Sequence, residues 1–555
     1  MKKILHSLFL LFPLLCFSQT PDWQWARNYT LSQNAGKQYT AADNDGNVYL
    51  IGDFAGPTLT VGTYTLTNFE PATSDIYIIK FDKDGNVLWA RSEGGTWYNH
   101  GASIGLDNQG NFYVLGTYHE SITIGTTTLT NTDGGNFYAK FDSSGNPLWA
   151  KSFNEPVGSW SARDVKTDAS GNMYMAGHFI GPSVTLGGVT LVNPAYSSTN
   201  VAPVSWFGKF DGSGNCIWLR GPQSTAINST GNLAHGIDID SNGNVYVAGQ
   251  FNNATINFGN VTLTKSADYD YTANMYLVKY DANGNALWGK NAGSEFSNLT
   301  IAETVSVDPS NNVLVSGFFS NTISFDAISL MAGGGSKPYT AKFDTNGTAL
   351  WAKNTSGANC AGNVYGVDTD SQGNIYVVGT TNCASLNFGG LSLSMSGEGG
   401  IYVVKYNTAG QPLWARRSSA TNINNVVSID VHNENEIYVA GTFFSPTISF
   451  GTNALTKSSS NFDLFIAKLN YTPLGTEEFS KAKIVIAPNP ATDILELSGL
   501  EENTAFEIID LRGRKIAGGV LDVSNPQIKI DALVSGIYML RLLTSVAVTL
   551  KFVKE

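Results

Sequence analysis

Short apolar strands broken by polar reversals recur along most of the chain. The clearest unit is 81–90, Phe-Asp-Lys-Asp-Gly-Asn-Val-Leu-Trp-Ala, in which an apolar strand runs into Asp, a polar pair and Gly-Asn reverse the chain, and an apolar strand restarts at Leu-Trp. Glycine supplies the positive φ of such turns and Asp bonds the amides ahead of it, so the pattern predicts a β-hairpin. Five further copies start at Phe141, Phe210, Tyr280, Phe343 and Tyr406. Their tryptophans, Trp89, Trp149, Trp218, Trp288, Trp351 and Trp414, stand 60, 69, 70, 63 and 63 residues apart by subtraction. Each is large enough to pin one unit against the next.

A second hairpin opens each unit. Its copies fall at 45–49, 109–113, 170–174, 242–246, 310–314, 372–376 and 434–438, the last departing from the pattern at Asn435 and Glu436. Each following strand ends at a glycine: Gly52, Gly116, Gly177, Gly249, Gly317, Gly379 and Gly441. A variable segment with a Thr-Ile-x-Phe-Gly flavour, as at 255–259 and 447–451, predicts a small added hairpin before the third strand. Units of this length cannot bury their own faces, so seven copies predict an all-β, seven-bladed propeller. Near the N-terminus, Trp23-Gln24-Trp25-Ala26-Arg27-Asn28 copies the second half of the organising motif, and 463–470 copies the first half. The two fragments complement each other, which predicts a ring closed by the N-terminal strand and without open edges.

Composition fits that architecture. The 555 residues hold 58 glycines and only 14% charged side chains, as expected of a turn-rich β protein. The formal charge of −12, without a Lys/Arg cluster, argues against nucleic-acid binding. Lys2 and Lys3 before the apolar run 4–17 predict a secretory signal peptide over 1–18, cleaved after Ser18. Leu15 stands where a lipoprotein signal would want a small residue before Cys16. Export permits disulfides. Cys360 and Cys383 are equidistant from the turn 370–373, so they face each other if no bulge shifts the register, which predicts a bridge and leaves Cys216 unpaired.

The Tyr-x-x-Lys-Phe-Asp-x-x-Gly-Asn-x-x-Trp segments, such as 77–89, resemble the SBBP-type β-propeller repeats of secreted bacterial proteins. That resemblance covers about four fifths of the chain and implies a fold rather than a function. Residues 471–483 break the pattern and read as a linker, after which 484–555 change to alternating strands that suggest a small β-sandwich. This tail resembles the C-terminal sorting domain of the type IX (Por) secretion system. The resemblance rests on Pro488, Asn489 and Pro490, on Gly513 after Asp510-Leu511, on Gly536 and Tyr538, and on the terminal 551–554. It implies the type IX machinery as a partner, passage through both membranes, and a secreted or surface-attached product. The expected organisation is therefore a signal peptide at 1–18, the propeller at 19–470, the linker, and the sorting domain.

Candidate chemistry is sparse. The Asp-x-x-Gly-Asn turns lack the downstream acid of a calcium loop, the histidines are scattered singly, and neither metal nor cofactor is expected. The residues that do not repeat are more informative: Trp97, Tyr98, Asn99 and His100, then Trp160 and Arg163, with Tyr196 and Trp206 in the longest insertion. Exposed aromatics beside polar groups hold sugar rings or partner proteins, and such residues also wedge blades together. The turns of one face are nearly identical in every blade, so the variable face is the functional candidate, with Trp97, Tyr98, His100, Trp160, Arg163 and His235 around the central opening. The expected function is a monomeric, exported scaffold that binds a glycan or protein. The alternative is an extracellular polysaccharide hydrolase or lyase, which would show as two close carboxylates or a His/Tyr/Arg group in one pocket. Glu93, Glu120, Glu155, Asp164 and Glu295 lie near the loops, unpaired by sequence alone.

Overall fold

The computed structural model describes residues 20–31, 38–153, 162–197, 201–223, 231–266, 272–293, 300–356, 361–395, 400–420, 424–434, 436–459, 461–471, 484–500, 503–510, 513–543 and 548–555. The chain divides into two compact units, with the division after Tyr471.

Among the described residues, the first unit holds seven antiparallel sheets of four strands, here numbered I to VII. Sheet I runs Tyr39–Ala42, Val48–Ala55, Ser74–Phe81, Val87–Glu93, from inner to outer strand. Sheets II to VI repeat that order, with inner strands Asn99–Leu106, Ala162–Thr167, Asn232–Ile239, Ile301–Val307 and Gly362–Thr369. Sheet VII takes its inner strand from Asn424–His432, then Glu436–Phe443 and Asp463–Asn470, and its outer strand from the opposite end of the chain, Asp22–Thr30. That strand pairs antiparallel with Asp463–Asn470 from Asp22 opposite Asn470 to Thr30 opposite Asp463. The segment after the conserved glycine forms a separate two-stranded hairpin in sheets I, III, IV and VI. In II and V it prolongs the second and third strands themselves. The hairpin of VII, Thr447–Phe450 with Asn453–Thr456, pairs instead with the outer strand of VI and lengthens that sheet to six strands.

Each sheet is a separate ladder, and side chains join one to the next. Second and third strands are apolar on both faces because both faces are covered. Seven apolar clusters span I/II, II/III, III/IV, IV/V, V/VI, VI/VII and VII/I.

The repeated motif explains how neighbours lock. Trp25 of sheet VII lies over Gly85 in the turn of sheet I, where a Cβ would meet the indole at 2.9 Å, and its Nε1 donates to the Lys83 carbonyl oxygen at 3.1 Å. Trp149, Trp218, Trp288 and Trp351 make the same bond to Gly212, Ala282, Thr345 and Thr408 of the next sheet. The turn glycine is therefore required twice: Gly85 has φ +81°, and its missing side chain is the seat of the indole.

The second unit packs the strands Val485–Ala487, Ile494–Ser498 and Gln527–Lys529 against a sheet of Lys515–Leu521, Thr504–Asp510, Gly536–Leu542 and Val548–Lys554. They share a core of Leu495, Leu497, Ile508, Leu540, Leu542 and Phe552.

Candidate functional site

Inner strands carry the chemistry because they surround a cavity of about 290 Å³ to which all seven contribute. Strand alternation sends every second residue inward. In one layer these are Lys166, Asp238, Ser306, Asp368 and Asp430, and in the next Tyr39, Ser103, Asp164, Thr304 and Ser428. A third layer has a different origin. In sheets II to VII the register slips by one residue at the same place, leaving Ala102, Arg163, His235, Glu303, Tyr365 and Val427 unpaired. Bulges re-aim side chains, and four of these, Arg163, His235, Glu303 and Tyr365, line the cavity.

Most of the acids in the cavity are structural. Asp164 accepts from Ser103 Oγ at 3.1 Å and from the Ile237 amide of the next sheet at 3.2 Å. Asp238 accepts from the Val307 amide and Asp368 from the Val431 amide, both at 2.7 Å, and Asp430 from the backbone at Ala42. Each carboxylate thus stitches its inner strand to a neighbouring one. Burial, and then the charge of Asp368, push Asp430 up to about 8; burial pushes Asp238 up to about 6 although Lys166 opposes it. Lys166 is held firmly cationic, first by Asp164.

The residues expected at this site fall into two groups. Arg163 and His235 line the cavity together. Trp97 and Tyr98, on the link between sheets I and II, form a shelf with His100 at the start of the inner strand of II. Trp97 is 47% and Tyr98 42% exposed; their rings lie 6.5 Å apart, and Tyr98 stacks parallel on His100 at 6.2 Å. Trp97 has φ +62°, an outlier for a bulky residue, and its amide donates to Glu70 Oε2 at 3.0 Å. His100 Nδ1 sits 3.2 Å from buried Asp53; burial would lower this histidine, but the bond and charge of Asp53 outweigh it and raise it. Burial raises the Tyr39 hydroxyl of the cavity wall, which also feels the charges of Arg163, Asp164, Glu303 and Asp53. Trp160, Glu155 and Glu295 lie outside the described residues, as does the expected signal peptide.

Other expectations resolve differently. Trp206 is no surface aromatic: it is fully buried, edge-on to Phe153 at 5.2 Å, because it sits on a third strand covered on both faces. Cys383 is disulfide-bonded, Cys216 is free, and Cys360 lies outside the described residues. Among the described residues no cluster of His, Cys, Asp or Glu has the makings of a metal site. Sequence reading missed Lys166, Asp238, Glu303, Tyr365, Asp368 and Asp430, which look like ordinary strand residues beside a turn. The one available signal was offset from the turn: Lys166, Asp238 and Asp368 stand two residues before the turn Asp, Glu303 and Tyr365 five before it, and Asp430 two before His432, which takes that place in sheet VII.

In the second unit, the sorting-motif residues hold the termini of the unit together. Asn489 Nδ2 donates to the Lys551 carbonyl oxygen at 3.0 Å and its Oδ1 accepts the Val553 amide at 2.9 Å, between Pro488 and Pro490. Gly513 turns at φ +80°, and Tyr538, two residues after Gly536, donates to the Val534 carbonyl oxygen at 2.8 Å and stacks on Phe552 at 5.6 Å.

A family model described as a secretion system C-terminal sorting domain matches residues 485–555, and a beta-propeller repeat model matches 363–387. An uncharacterized WD repeat-containing protein of Acanthamoeba polyphaga mimivirus is 25% identical over 470 residues, covering 71% of this chain. The chain spans 33% of the length of that relative. Among solved structures, YCF48 bound to D1 peptide aligns with a TM-score of 0.35 at 8% identity, covering 82% of this chain and 98% of that one. A member of the DUF4221 family from Bacteroides vulgatus aligns at 0.33 and 9% identity, with the same coverage. The chain thus carries a beta-propeller repeat in sheet VI and a secretion-system sorting domain over its second unit.

Proposed function

We propose that residues 19–470 form a seven-bladed propeller closed by its N-terminal strand, and that it is a non-enzymatic, exported scaffold holding a glycan on the face of Trp97, Tyr98, His100, Trp160, Arg163 and His235. The cycle of seven apolar clusters supports the closed ring. The observation that carries the binding reading is Trp97: a half-exposed indole kept at φ +62°, a conformation that costs about 1–3 kcal/mol and persists where surroundings impose it. A flat indole beside Tyr98 and His100 offers sugar rings a stacking surface with polar groups at its edge. Trp97→Ala should weaken binding in a glycan screen by about 1–4 kcal/mol without changing the melting temperature, whereas Lys83→Ala on the turn face should do neither. Unchanged affinity in Trp97→Ala would remove this reading.

A second reading has one observation in its favour. His235, Tyr39, Tyr365 and Arg163 line one cavity, a set able to shuttle protons and bind an acid, as a polysaccharide hydrolase or lyase needs. Release of oligosaccharides by the protein, abolished in His235→Ala, would establish it.

A further inference from the structure

We propose that Arg163, beside His178, is an anion-accepting subsite, so that the glycan bound on this face is acidic, its carboxylate or sulfate oxygens seated on the guanidinium; this rests on the glycan reading above.

Arg163 is the bulge residue of the inner strand of sheet III, half-buried on the cavity wall. Among the described residues its guanidinium makes no ion pair or hydrogen bond, and Nε is buried without an acceptor. A guanidinium carries five N–H donors in a planar fork, and leaving buried donors unmatched is costly enough that native proteins rarely do so without a partner to come. The nearest acids are engaged elsewhere: both oxygens of Asp164 are taken by Ser103 and Ile237, and Asp238 is bonded to the Ile239 and Val307 amides. Glu303 lines the same cavity and its charge falls on Tyr39.

His178 is the second observation. It lies on the strand paired with that of Arg163, where Ala162 faces Gly177, and its Nδ1 is buried without a hydrogen-bond partner. Burial, and then the charges of Arg163 and His235, hold it neutral, far below the usual histidine range. Two unmatched groups, one cationic and one a neutral imidazole, thus stand on paired strands of sheet III, Arg163 on the cavity wall. An oxyanion reaching them would take the fork of Arg163 and bring the charge that this corner lacks. The other cation of the wall, Lys166, faces Asp164, Asp238, Asp368 and Asp430, which leaves Arg163 as the cation open to an incoming anion.

The test compares polygalacturonate, a sulfated galactan and neutral galactan on the full-length secreted protein by calorimetry. At least one anionic polymer should bind about tenfold or more tightly than neutral galactan, with the excess shrinking as salt rises. Arg163→Gln should abolish the excess and spare the neutral polymer, and Arg163→Lys, which keeps the charge and loses the fork, should retain only part of it. The polymer that binds more tightly tells carboxylate from sulfate. Equal affinities for charged and neutral polymers, or an excess surviving in Arg163→Gln of unchanged melting temperature, would overturn the subsite. If neutral galactan still responds to Trp97→Ala in that case, the glycan reading stands alone. Binding of none of the three would remove both.

Discussion

The repeating Asp shows how much one residue can carry. In sheet V, Asp308 Oδ1 accepts the Ser310 and Asn312 amides at 2.9 Å, closing the turn, while Oδ2 receives Lys342 Nζ from the third strand at 2.7 Å. Both side chains of that pair are almost wholly buried. The turn role was legible from the repeated Asp-x-x-Gly-Asn, although here Asn311, at φ +64°, takes the place of the glycine. The lysine was visible in Tyr-x-x-Lys-Phe-Asp, but its partner lies about 35 residues upstream in another hairpin, so only the fold joins them. Sheet VII makes the point by exception: where the pattern lapses, Glu436 takes over and receives Lys468. Asp308→Ala should therefore cost about 3–5 kcal/mol in denaturant melts, because it strands a buried lysine. Asp281→Ala, which removes the same amide bonds from an exposed turn without a lysine, should cost about 1 kcal/mol or less.

At the scale of elements, strands, turns and repeat offsets were legible because periodicity two and Gly-Asn turns are local signals. The bulges were not: glycine follows His235 and Tyr365, but Arg163 and Glu303 have neither glycine nor proline beside them, and which side chains the slip re-aims depends on register alone. Trp206 was misread for a related reason, since an aromatic in an insertion and one on a covered strand look alike in sequence. The pairing of Asp22–Thr30 with Asp463–Asn470 gives a direct energetic test of the ring. Trp25 is 7% exposed and seated on Gly85, so Trp25→Ala should lower stability by about 3–5 kcal/mol, with a clear fall in melting temperature. Trp97→Ala on the exposed shelf should leave it nearly unchanged. Equal falls in the two variants would favour an open array.

For the whole molecule, the separate core of the second unit and the cavity of the first decide behaviour. Because the second unit has a core of its own, deleting 484–555 should leave a folded, protease-resistant propeller that accumulates in the periplasm; its normal appearance outside the cell would deny the tail its role. The acids of the cavity were beyond sequence reading because its wall gathers one short strand from each of seven sheets, and acids some 60 to 75 residues apart, harmless singly, meet there. Their meeting makes stability depend on pH. Asp430 titrates at about 8 in the fold and Asp238 at about 6, against about 3.9 for Asp in an unfolded chain. A raised carboxyl favours folding in its protonated form, so this contribution is full below about pH 4 and is lost as pH rises through the folded values. Carboxylates lowered in the fold, such as Asp43 and Asp168, act oppositely and only at the acid end, as they protonate. The melting temperature should accordingly fall between about pH 6.5 and pH 8.5, above the range in which His178, held neutral by burial, acts the other way. Asp430→Asn, which keeps the shape and an acceptor for the Ala42 amide while removing the ionising proton, should flatten that slope and gain most over the parent at the alkaline end. A parent slope of the opposite sign, or one unchanged by Asp430→Asn, would show that the cavity acids are charged without cost.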